Sequence, residues 1–519
     1  MKNKIIGIFV LLLFVCPTFV KHSFGQEPDK DIDLTGLFNE NDYTPTTVSE
    51  HYAQLPDGVF SHAQIMNIPA SGQADLLHKV LIIVDSTLYS ELTFEINRYA
   101  YDIHYVYGCN VIMERVDSET CQDIKSLITN YQNNLDGCVF IGDIIPAIYR
   151  TNDLCYYNWL ASWPCDLYYM DLTGTWIDGN HDNYFDDYTG DMTPEIFVGR
   201  ISTSNMGNII GEEEGMRLYL NKNHKYWIGH RHINKKHGLS YTNRPWVPNP
   251  IDTPYMASVF NNSINNLYGN DNYEAINARE NPAIFGKTDY LHRLNNEKYE
   301  FIQLASHSTP THHVQFKGAS ISGYEIASNE NKSLGYNLFC CSACCWTNAT
   351  SSNAFLAGDY IYSPNSDGLC VVGSTKAGSM YPFANFYISL GQGKTIGQSL
   401  VNWWSTYSMP TYTQQEILCW NFGLTIIGDP LVNFFHCTNS TCQDQLTLTS
   451  YDSSNTPLSY YLTSEKITVA PPATGSFTIP VGDHCILNAP TVEIKGEFLC
   501  PYGSSMEILN EGCRDNCDE

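Results

Sequence analysis

The chain has 519 residues, a length at which we expect more than one domain, each able to bury a core of its own. It carries 28 Lys and Arg against 55 Asp and Glu, a formal net charge of -27 at pH 7. Nucleic acids and anionic membranes bind clustered basic residues, so this balance argues against both as partners.

The first 25 residues have the pattern of an export signal. Basic residues precede an apolar run at 5–15, and Ser23 and Gly25 supply small residues at the two cleavage positions. The run is shorter than the roughly 20 residues that a membrane-spanning helix needs, and no other segment is apolar enough to span. We therefore predict a signal peptide at 1–25 and a secreted, periplasmic or outer-surface protein without a transmembrane segment. A lipid anchor on Cys16 is the alternative at this end.

The cysteine content is compatible with export. There are 18 cysteines, and an odd number remains once a signal containing Cys16 is removed. An oxidising compartment permits disulfides, and an odd number leaves at least one thiol unpaired within the chain. An unpaired thiol is compatible with a catalytic role.

Strands and helices alternate over most of the chain that follows. Residues 26–77 are rich in Asp, Pro, Thr and Gly, and we interpret them as an irregular N-terminal or pro-segment. Continuous apolar runs then alternate with helical spacing, which is typical of a mostly parallel sheet covered by helices. We expect two α/β subdomains, 78–228 and 229–436. The predicted elements are strands at 80–84, 111–116, 138–142, 195–201, 299–306, 336–341, 369–374 and 423–427, with helices near 91–105, 119–133 and 205–227.

The last part of the chain, 437–519, changes to short alternating runs such as Ser476–Pro480, and we predict a small all-β module there. It resembles a small stacked β domain found at the ends of exported Bacteroidetes proteins, an analogy that implies cell-surface attachment or sorting. Six cysteines in or beside it suggest disulfide staples: Cys437, Cys442, Cys485, Cys500, Cys513 and Cys517.

Two predicted strands end in reactive side chains. The strand at 299–306 leads into His307, and the strand at 336–341 ends at Cys341. In open α/β sheets, ligands bind at the carboxyl ends of the strands. If the two strands are neighbours, His307 and Cys341 face each other across one crevice, and the histidine raises the thiolate fraction of the cysteine. A core cysteine and a capping histidine are the alternative interpretation.

Several motifs, in their order and spacing, resemble the gingipain-type cysteine peptidase family, whose catalytic domain is caspase-like. They cover most of residues 79–435. The motifs are Phe140-Ile141-Gly142-Asp143, Asp166-Leu167-Tyr168-Tyr169, Glu195-Ile196-Phe197-Val198-Gly199-Arg200, the His307 and Cys341 strands, Val372-Gly373-Ser374-Thr375 and Ile427-Gly428-Asp429-Pro430. The resemblance implies a caspase-like α/β fold and an endopeptidase that acts on proteins or peptides and requires no cofactor for its chemistry.

The same resemblance implies roles for individual residues. Cys341 is the expected nucleophile, His307 the general acid and base, and Glu195 the carboxylate that supports the histidine. The backbone N–H groups of Cys341 and Ser308 are expected to face the developing oxyanion.

Two features of this region leave other interpretations open. The family's best-known members flank the histidine with glycines, whereas Ser306 and Ser308 flank it here. The alternative function is therefore a catalytically weak or inactive relative that serves as a surface binding or adhesion module. Cys344 also follows a small residue and is the alternative nucleophile, whereas Cys341 is favoured because Trp346 then falls where the family places an aromatic residue.

The neighbouring cysteines permit other chemistry. Cys341 and Cys344 form a C-x-x-C, which is typical of a redox pair or, with His312 and His313, of half a zinc site. No second C-x-x-C at structural zinc spacing occurs, which argues against zinc. A disulfide between neighbouring cysteines would silence the nucleophile until it is reduced.

An Asp-rich loop has the ligand types that calcium prefers. Oxygen-bearing side chains recur at Asp178, Asn180, Asp182 and Asp186. The loop lacks the Gly and the closing Glu of an EF-hand, so it does not belong to that class. A structural calcium ion is the hypothesis for this loop, and a plain solvated turn is the alternative.

Overall fold

The computed structural model of the protein describes residues 56, 58–69, 78–153, 159–207, 209–229, 238–243, 261, 263–269, 273–277, 284–316, 319–339, 342–348, 354–380, 383–407, 418, 420–434, 444–450, 458–470 and 476–513. All of them belong to one structural unit, Asp33–Glu519. The predicted signal peptide, with Cys16, and most of the predicted pro-segment lie outside the described residues.

Strands and helices alternate through the first half of the described chain, as the hydrophobic pattern predicts. The helix predicted from residue 205 begins only at Glu212, where three successive glutamates occupy the first turn and favour the positive end of the helix dipole. The elements are β1 (Ser61–Ile68), β2 (Lys79–Asp85), α1 (Ser86–Glu91), α2 (Thr93–Asp102, continued by a π-helical turn Ile103–Tyr107), β3 (Asn110–Asp117), α3 (Cys121–Asn130), β4 (Leu135–Ile141), β5 (Ile148–Asp153), β6 (Trp159–Pro164), α4 (Leu167–Met170), β7 (Thr175–Ile177), β8 (Asp187–Thr189), β9 (Phe197–Ile201) and α5 (Glu212–Trp227).

The second half repeats the alternation. No described helix combines the length and the apolar character that crossing a bilayer requires. The elements are β10 (Gly238–Thr242), β11 (Tyr273–Asn277), α6 (Lys287–Asn296), β12 (Phe301–Ala305), β13 (His312–Phe316), β14 (Ala319–Ser322), α7 (Gly323–Ala327), β15 (Gly335–Phe339), a 3-10 turn (Trp346–Asn348), α8 (Leu356–Ile361), β16 (Cys370–Ser374), α9 (Ala384–Gly391), α10 (Ile396–Tyr407) and β17 (Leu424–Gly428).

Eleven of the described strands form one sheet, in the order β1-β3-β2-β4-β9-β17-β16-β15-β12-β10-β11. Neighbours are parallel except at two places, β1 with β3 and β16 with β17. The antiparallel β16–β17 pair reverses the direction of the sheet. The carboxyl ends of β10, β12, β15 and β16 therefore lie at the same edge as the amino ends of β9 and β17. The expected mostly parallel α/β fold is confirmed.

The middle of this sheet is buried on both faces. Every residue of β9, β12, β15, β16 and β17 is buried. This burial explains why these strands read as continuous apolar runs instead of alternating ones.

The C-terminal part of the chain forms a stack of parallel strands. Three sets pair in parallel, and β21 and β24 start 21 residues apart at Ser476 and Glu497, so the chain winds as a parallel β-solenoid in which each coil pairs with the next. The described residues from 444 onward contain strands and no helix, in line with the expected all-β module. The sets are β18-β20-β23 (Gln445–Leu448, Lys466–Val469, Thr491–Ile494), β19-β22-β25 (Leu458–Leu462, His484–Asn488, Ser505–Leu509) and β21-β24 (Ser476–Thr478, Glu497–Leu499).

The interior of the solenoid is a ladder of apolar side chains. Phe477 and Phe498 occupy paired positions in β21 and β24 and stack with ring centroids 5.8 Å apart. Of the predicted staples, Cys485 and Cys500 are free thiols and Cys513 is disulfide-bonded. The other three cysteines of this region, Cys437, Cys442 and Cys517, lie outside the described residues.

The solenoid contacts the peptidase region through α2 and α5. Phe94 of α2 makes an edge contact with His484, at 6.2 Å between ring centroids. His224 of α5 lies between Asp102, at 2.7 Å from Nδ1, and Glu511 of the solenoid end, at 3.7 Å from Nε2.

Candidate active site

His307 lies just past the carboxyl end of β12, in a turn that β13 closes. Val314 N donates to His307 O at 2.8 Å, and Thr309 N donates to His312 O at 2.8 Å. Only 3% of His307 is exposed. Backbone hydrogen bonds therefore hold the backbone of this buried histidine in a fixed turn.

The strand that leads to His307 is the direct neighbour of the strand that leads to Cys341. Strands β12 and β15 pair in parallel as far as Ala305 with Phe339, and Ser306 N donates to Phe339 O at 3.5 Å. His307 and Cys341 each follow the last paired residue of their strand by two positions. Cys341 itself, with Cys340, lies outside the described residues.

The alternative nucleophile, Cys344, is enclosed by the protein. Its exposure is 0%, and a Cβ atom placed on Gly373 would lie 2.8 Å from its sulfur. Burial raises the pKa of the Cys344 thiol, so the neutral thiol is favoured over the nucleophilic thiolate. Its backbone N–H donates to Ser374 O at 3.0 Å, which ties the segment 342–348 to the end of β16.

The described histidines of the C-x-x-C hypothesis have hydrogen-bond partners of their own. His313 contacts Ser308 Oγ through Nδ1 at 2.7 Å and Tyr360 OH through Nε2 at 2.8 Å. His312 Nδ1 contacts Thr311 Oγ1 at 2.8 Å. Within the described part of the chain, no group of three or more His, Cys, Asp or Glu side chains is arranged to hold a metal ion.

Asn243 lies beside the turn that carries His307, a position that the sequence did not signal. It follows β10, which pairs with β12 on the side away from β15, and its N–H donates to Ala305 O at 2.9 Å. The Asn243 side chain is buried, its Nδ2 lies 3.3 Å from Ser306 Oγ, and its Oδ1 has no hydrogen-bond partner among the described residues. A buried amide oxygen without a partner among the described residues thus lies beside the turn that carries His307.

Glu195 lies elsewhere along the same edge of the sheet. It is exposed, and its carboxylate accepts from Leu172 N at 2.6 Å and Thr173 Oγ1 at 2.9 Å. It precedes β9, which is four strand positions from β12, and adjacent strands are about 4.8 Å apart. The structure therefore does not bring Glu195 to His307.

Other motif residues form a buried ion pair beneath the segment 342–348. Arg200 donates to Asp166 at 2.8 Å, and Thr425 Oγ1 donates to the same carboxylate at 2.6 Å. The indole of Trp346 lies over the guanidinium of Arg200, 4.6 Å from the ring centroid. Two separate motifs therefore meet at one buried charge pair, which supports the segment that follows Cys341.

The carboxylates of the Asp-rich loop accept hydrogen bonds from the loop backbone and from one neighbouring arginine. Asp178 accepts from Asp182 N and Asn183 N, Asp186 accepts from Gly179 N at 3.1 Å, and Asp182 pairs with Arg150 at 3.1 Å. These hydrogen bonds stabilise the turn without an ion. Calcium binding at Asp178, Asn180, Asp182 and Asp186 stays a prediction.

A model of peptidase family C25 matches residues 79–435. The fold is similar to that of the complex of Porphyromonas gingivalis RgpB pro- and mature domains, with a TM-score of 0.47 and 14% sequence identity, covering 69% of this chain and 81% of that chain. A search of curated proteins finds no match.

The family match spans more than half of the chain and includes every motif on which the gingipain resemblance depends. The expected family is therefore confirmed, and with it the expected class of reaction, the hydrolysis of peptide bonds in protein substrates. The chain belongs to peptidase family C25, the gingipain family of cysteine peptidases.

Proposed function

We propose that the protein is an exported cysteine endopeptidase in which Cys341 is the nucleophile and His307 the general acid and base. The parallel register of β12 and β15 supports this proposal, because the two strands end side by side at Ala305 and Phe339, and His307 and Cys341 each follow by two positions in the sequence. The burial of Cys344 supports the choice of Cys341 over the other thiol of the C-x-x-C.

The reaction follows from these roles. The Cys341 thiolate adds to the carbonyl carbon of the peptide, an S–C bond forms, and the carbonyl oxygen becomes an oxyanion. Collapse of this intermediate breaks the C–N bond, and the His307 imidazolium gives its proton to the leaving amine. Water then attacks the thioester while His307 takes up its proton, the S–C bond breaks, and the acid product leaves with the thiolate restored.

We propose Asn243, in place of Glu195, as the group that orients His307. Its buried Oδ1 has no partner among the described residues, and an amide oxygen accepts a hydrogen bond from a ring N–H of histidine. Cysteine peptidases of another fold use the same Cys-His-Asn combination, so the residue types suit the chemistry.

The backbone N–H groups of Cys341 and Ser308 are the proposed oxyanion donors. The sequence raised the question whether serine fits where related peptidases have glycine. Ser306 and Ser308 are absent from the described residues with positive φ, so serine takes up this turn without backbone strain.

The test is cleavage of a mixed peptide library by the purified protein under mild reductant, beside Cys341→Ala and Cys344→Ala variants. We expect cleavage to disappear in the Cys341 variant and to persist in the Cys344 variant. Loss of cleavage in the Cys344 variant alone would reassign the nucleophile. If the parent protein cleaves no peptide, with or without calcium and after removal of the residues between the signal peptide and β1, the binding-module alternative replaces this proposal.

Export is a separate part of the proposal. We infer that residues 1–25 direct the chain out of the cytoplasm and that the solenoid attaches it to the cell surface. Fusion of residues 1–25 to a reporter enzyme that is active only outside the cytoplasm tests the first role. The second is tested by deleting residues 437–519 and comparing the cell-bound and released amounts of the peptidase. A reporter that stays in the cytoplasm, or unchanged partition after the deletion, contradicts the respective role.

A further inference from the structure

A chain of four hydrogen bonds runs from the aromatic core to the turn beside His307. Tyr290 OH and Tyr360 OH are 2.9 Å apart, and Tyr360 OH lies 2.8 Å from His313 Nε2. His313 Nδ1 lies 2.7 Å from Ser308 Oγ, which donates to Ser306 O at 3.3 Å. All five residues are buried.

The direction of every hydrogen in this chain follows from counting donors. Burial lowers the pKa of His313 to about 3, so the ring is neutral and has one N–H at neutral pH. Ser308 uses its single hydrogen on Ser306 O, so it must accept from His313 Nδ1–H. His313 Nε2 then accepts from Tyr360, and Tyr360 accepts from Tyr290. The opposite direction leaves Ser306 O without its donor, so only this arrangement satisfies all four contacts.

The backbone of the same turn leaves one donor unused. Val314 N donates to His307 O and Thr309 N donates to His312 O, the two bonds that flank an antiparallel bridge between Ser308 and His313. In such a bridge the N–H of the enclosed residue points away from the partner strand. The N–H of Ser308 therefore points away from β13, and no described residue accepts it.

Side-chain and backbone bonds thus hold Ser308 in one position, with an N–H that has no acceptor among the described residues. We propose that His313, held by Tyr360 and Tyr290, is a positioning residue that fixes Ser308 so that its N–H is oriented as an oxyanion donor before substrate binds. This inference rests on the proposed function of Cys341 and His307. An oxyanion donor acts only if it is already oriented when charge develops, and the hydrogen-bonded chain provides that orientation without touching the substrate.

The test removes single oxygen atoms from the chain. Ser308→Ala keeps the backbone N–H and deletes its anchor, and Tyr360→Phe deletes the donor to His313. We expect each change to lower kcat about tenfold or more with little change in KM, because the lost interaction acts in the transition state. The kcat of the double variant should be no lower than that of the stronger single variant, because both changes break the same series of hydrogen bonds.

Tyr241→Phe is the matched control. Tyr241 is another buried tyrosine, 5.1 Å from Tyr290 between ring centroids, but its hydroxyl interacts with Gly286 and Asp289 and takes no part in the hydrogen bonds that lead to Ser308. We expect this variant to keep the parent kcat. Melting temperatures of all variants show whether each one folds.

The affinity for a peptide aldehyde inhibitor separates an effect on the oxyanion donor from a general structural effect. The Cys341 sulfur bonds to the aldehyde carbon, the carbonyl π bond breaks, and the oxygen takes up the proton held by the cysteine–histidine pair. We expect aldehyde affinity to fall by the same factor as kcat in Ser308→Ala and Tyr360→Phe, while KM for the matching substrate is retained.

The outcomes separate this inference from the function on which it rests. Unchanged kcat in both variants, or a loss of aldehyde affinity matched by an equal rise in KM, overturns the role of His313. Cleavage that persists in Cys341→Ala overturns the proposed function instead. Purely additive effects of Ser308→Ala and Tyr360→Phe show that the two residues do not act through one chain.

Discussion

At the scale of single residues, Asp359 makes the stability of the protein depend on pH. It is 1% exposed, its Oδ1 has no hydrogen-bond partner in the described part of the chain, and burial raises the pKa of its carboxyl well above the usual value. The folded protein therefore keeps a proton that the unfolded chain releases above about pH 4. The contribution of the protonated Asp359 carboxyl to the free energy of unfolding is therefore fully present below that pH. It is lost as the pH rises towards the raised pKa of the folded state.

We predict that Asp359→Asn removes this dependence. Relative to the parent, the variant should gain stability by up to about 1.4 kcal/mol for each pH unit in that window. Urea unfolding at pH 5, 6, 7 and 8 measures the gain. A difference that stays constant over this range would show that the carboxyl is not protonated in the folded state.

A second prediction at this scale separates Asn243 from Glu195. Asn243→Ala should lower kcat roughly 10- to 100-fold, because an unoriented imidazole transfers protons poorly. Glu195→Gln should leave kcat near the parent value, since its carboxylate bonds the backbone and side chain of residues 172–173. Steady-state kinetics on one peptide substrate measure both. The reverse result would restore Glu195 to the site.

The positions of these residues show how much of the candidate site the sequence predicts. The position of His307 at the end of a strand was predictable because an apolar run precedes it. The position of Asn243 beside it was not, because it depends on the pairing of β10 with β12, which are separated by a long stretch of chain. The expected role of Glu195 depended on a sequence motif, and the order of strands in the sheet separates that motif from the histidine.

At the scale of elements, Asp429 ties two helices to the end of β17. Its buried carboxylate accepts from Tyr99 of α2 at 2.9 Å and from Asn223 and Trp227 of α5 at 2.8 and 3.1 Å. Leu431 N donates to the same group at 2.9 Å. Four donors converge on one carboxylate, which accepts from all of them.

We predict that Asp429→Asn destabilises the protein by about 3 kcal/mol or more, because the new amide N–H₂ faces other donors in a buried site. Chemical unfolding of the variant measures this loss. Asp117→Asn is the control, since Asp117 is exposed and should cost less than about 0.5 kcal/mol. Equal effects of the two changes would contradict the role of Asp429.

The motifs that identified the family describe packing more than chemistry. A Cβ on Gly199 would lie 2.5 Å from Pro430, so this glycine permits the close approach of two motifs. Arg200 and Asp166 form the buried pair beneath Trp346. Most strand positions of the central sheet were predictable from the apolar runs. β1 was missed because it lies in the segment 26–77 that was expected to be irregular, and β10 and β11 were missed because their neighbouring segments show no clear periodicity.

At the scale of the whole molecule, the solenoid meets the peptidase region at a titratable contact. Burial alone lowers the pKa of His224, but Asp102 and then Glu511 outweigh it and raise the pKa. Arg98, on the same helix as Asp102, opposes them. The stabilisation from this raised pKa is present below about pH 6.5 and is lost as pH rises through the folded-state pKa.

We predict that Glu511→Gln lowers the melting temperature at pH 6 and leaves it nearly unchanged at pH 9, where His224 is neutral in both proteins. Differential scanning calorimetry at the two pH values measures the shift. Glu497→Gln, a change at an exposed glutamate of the same solenoid, should show no such dependence on pH. A pH-independent loss in Glu511→Gln would mean that the contact does not involve the charged histidine.

The solenoid itself was predictable only as β structure. Its strands are three to five residues long, and paired coils share inward apolar positions without sharing a sequence. Phe477 and Phe498 are equivalent in the structure, but no repeated motif surrounds them in the chain. The parallel winding becomes visible only through the register of the strands.

The place of β17 has a consequence for the order in which the protein is made. This strand follows all the others of the central sheet along the chain, yet it lies in the middle, between β9 and β16. A chain leaving the ribosome has both halves of the sheet before it has the strand that joins them. The support beneath residues 342–348 also needs Thr425 of β17. The two halves of the central sheet in the nascent chain therefore stay unjoined until nearly the whole region that matches the peptidase family has been synthesised.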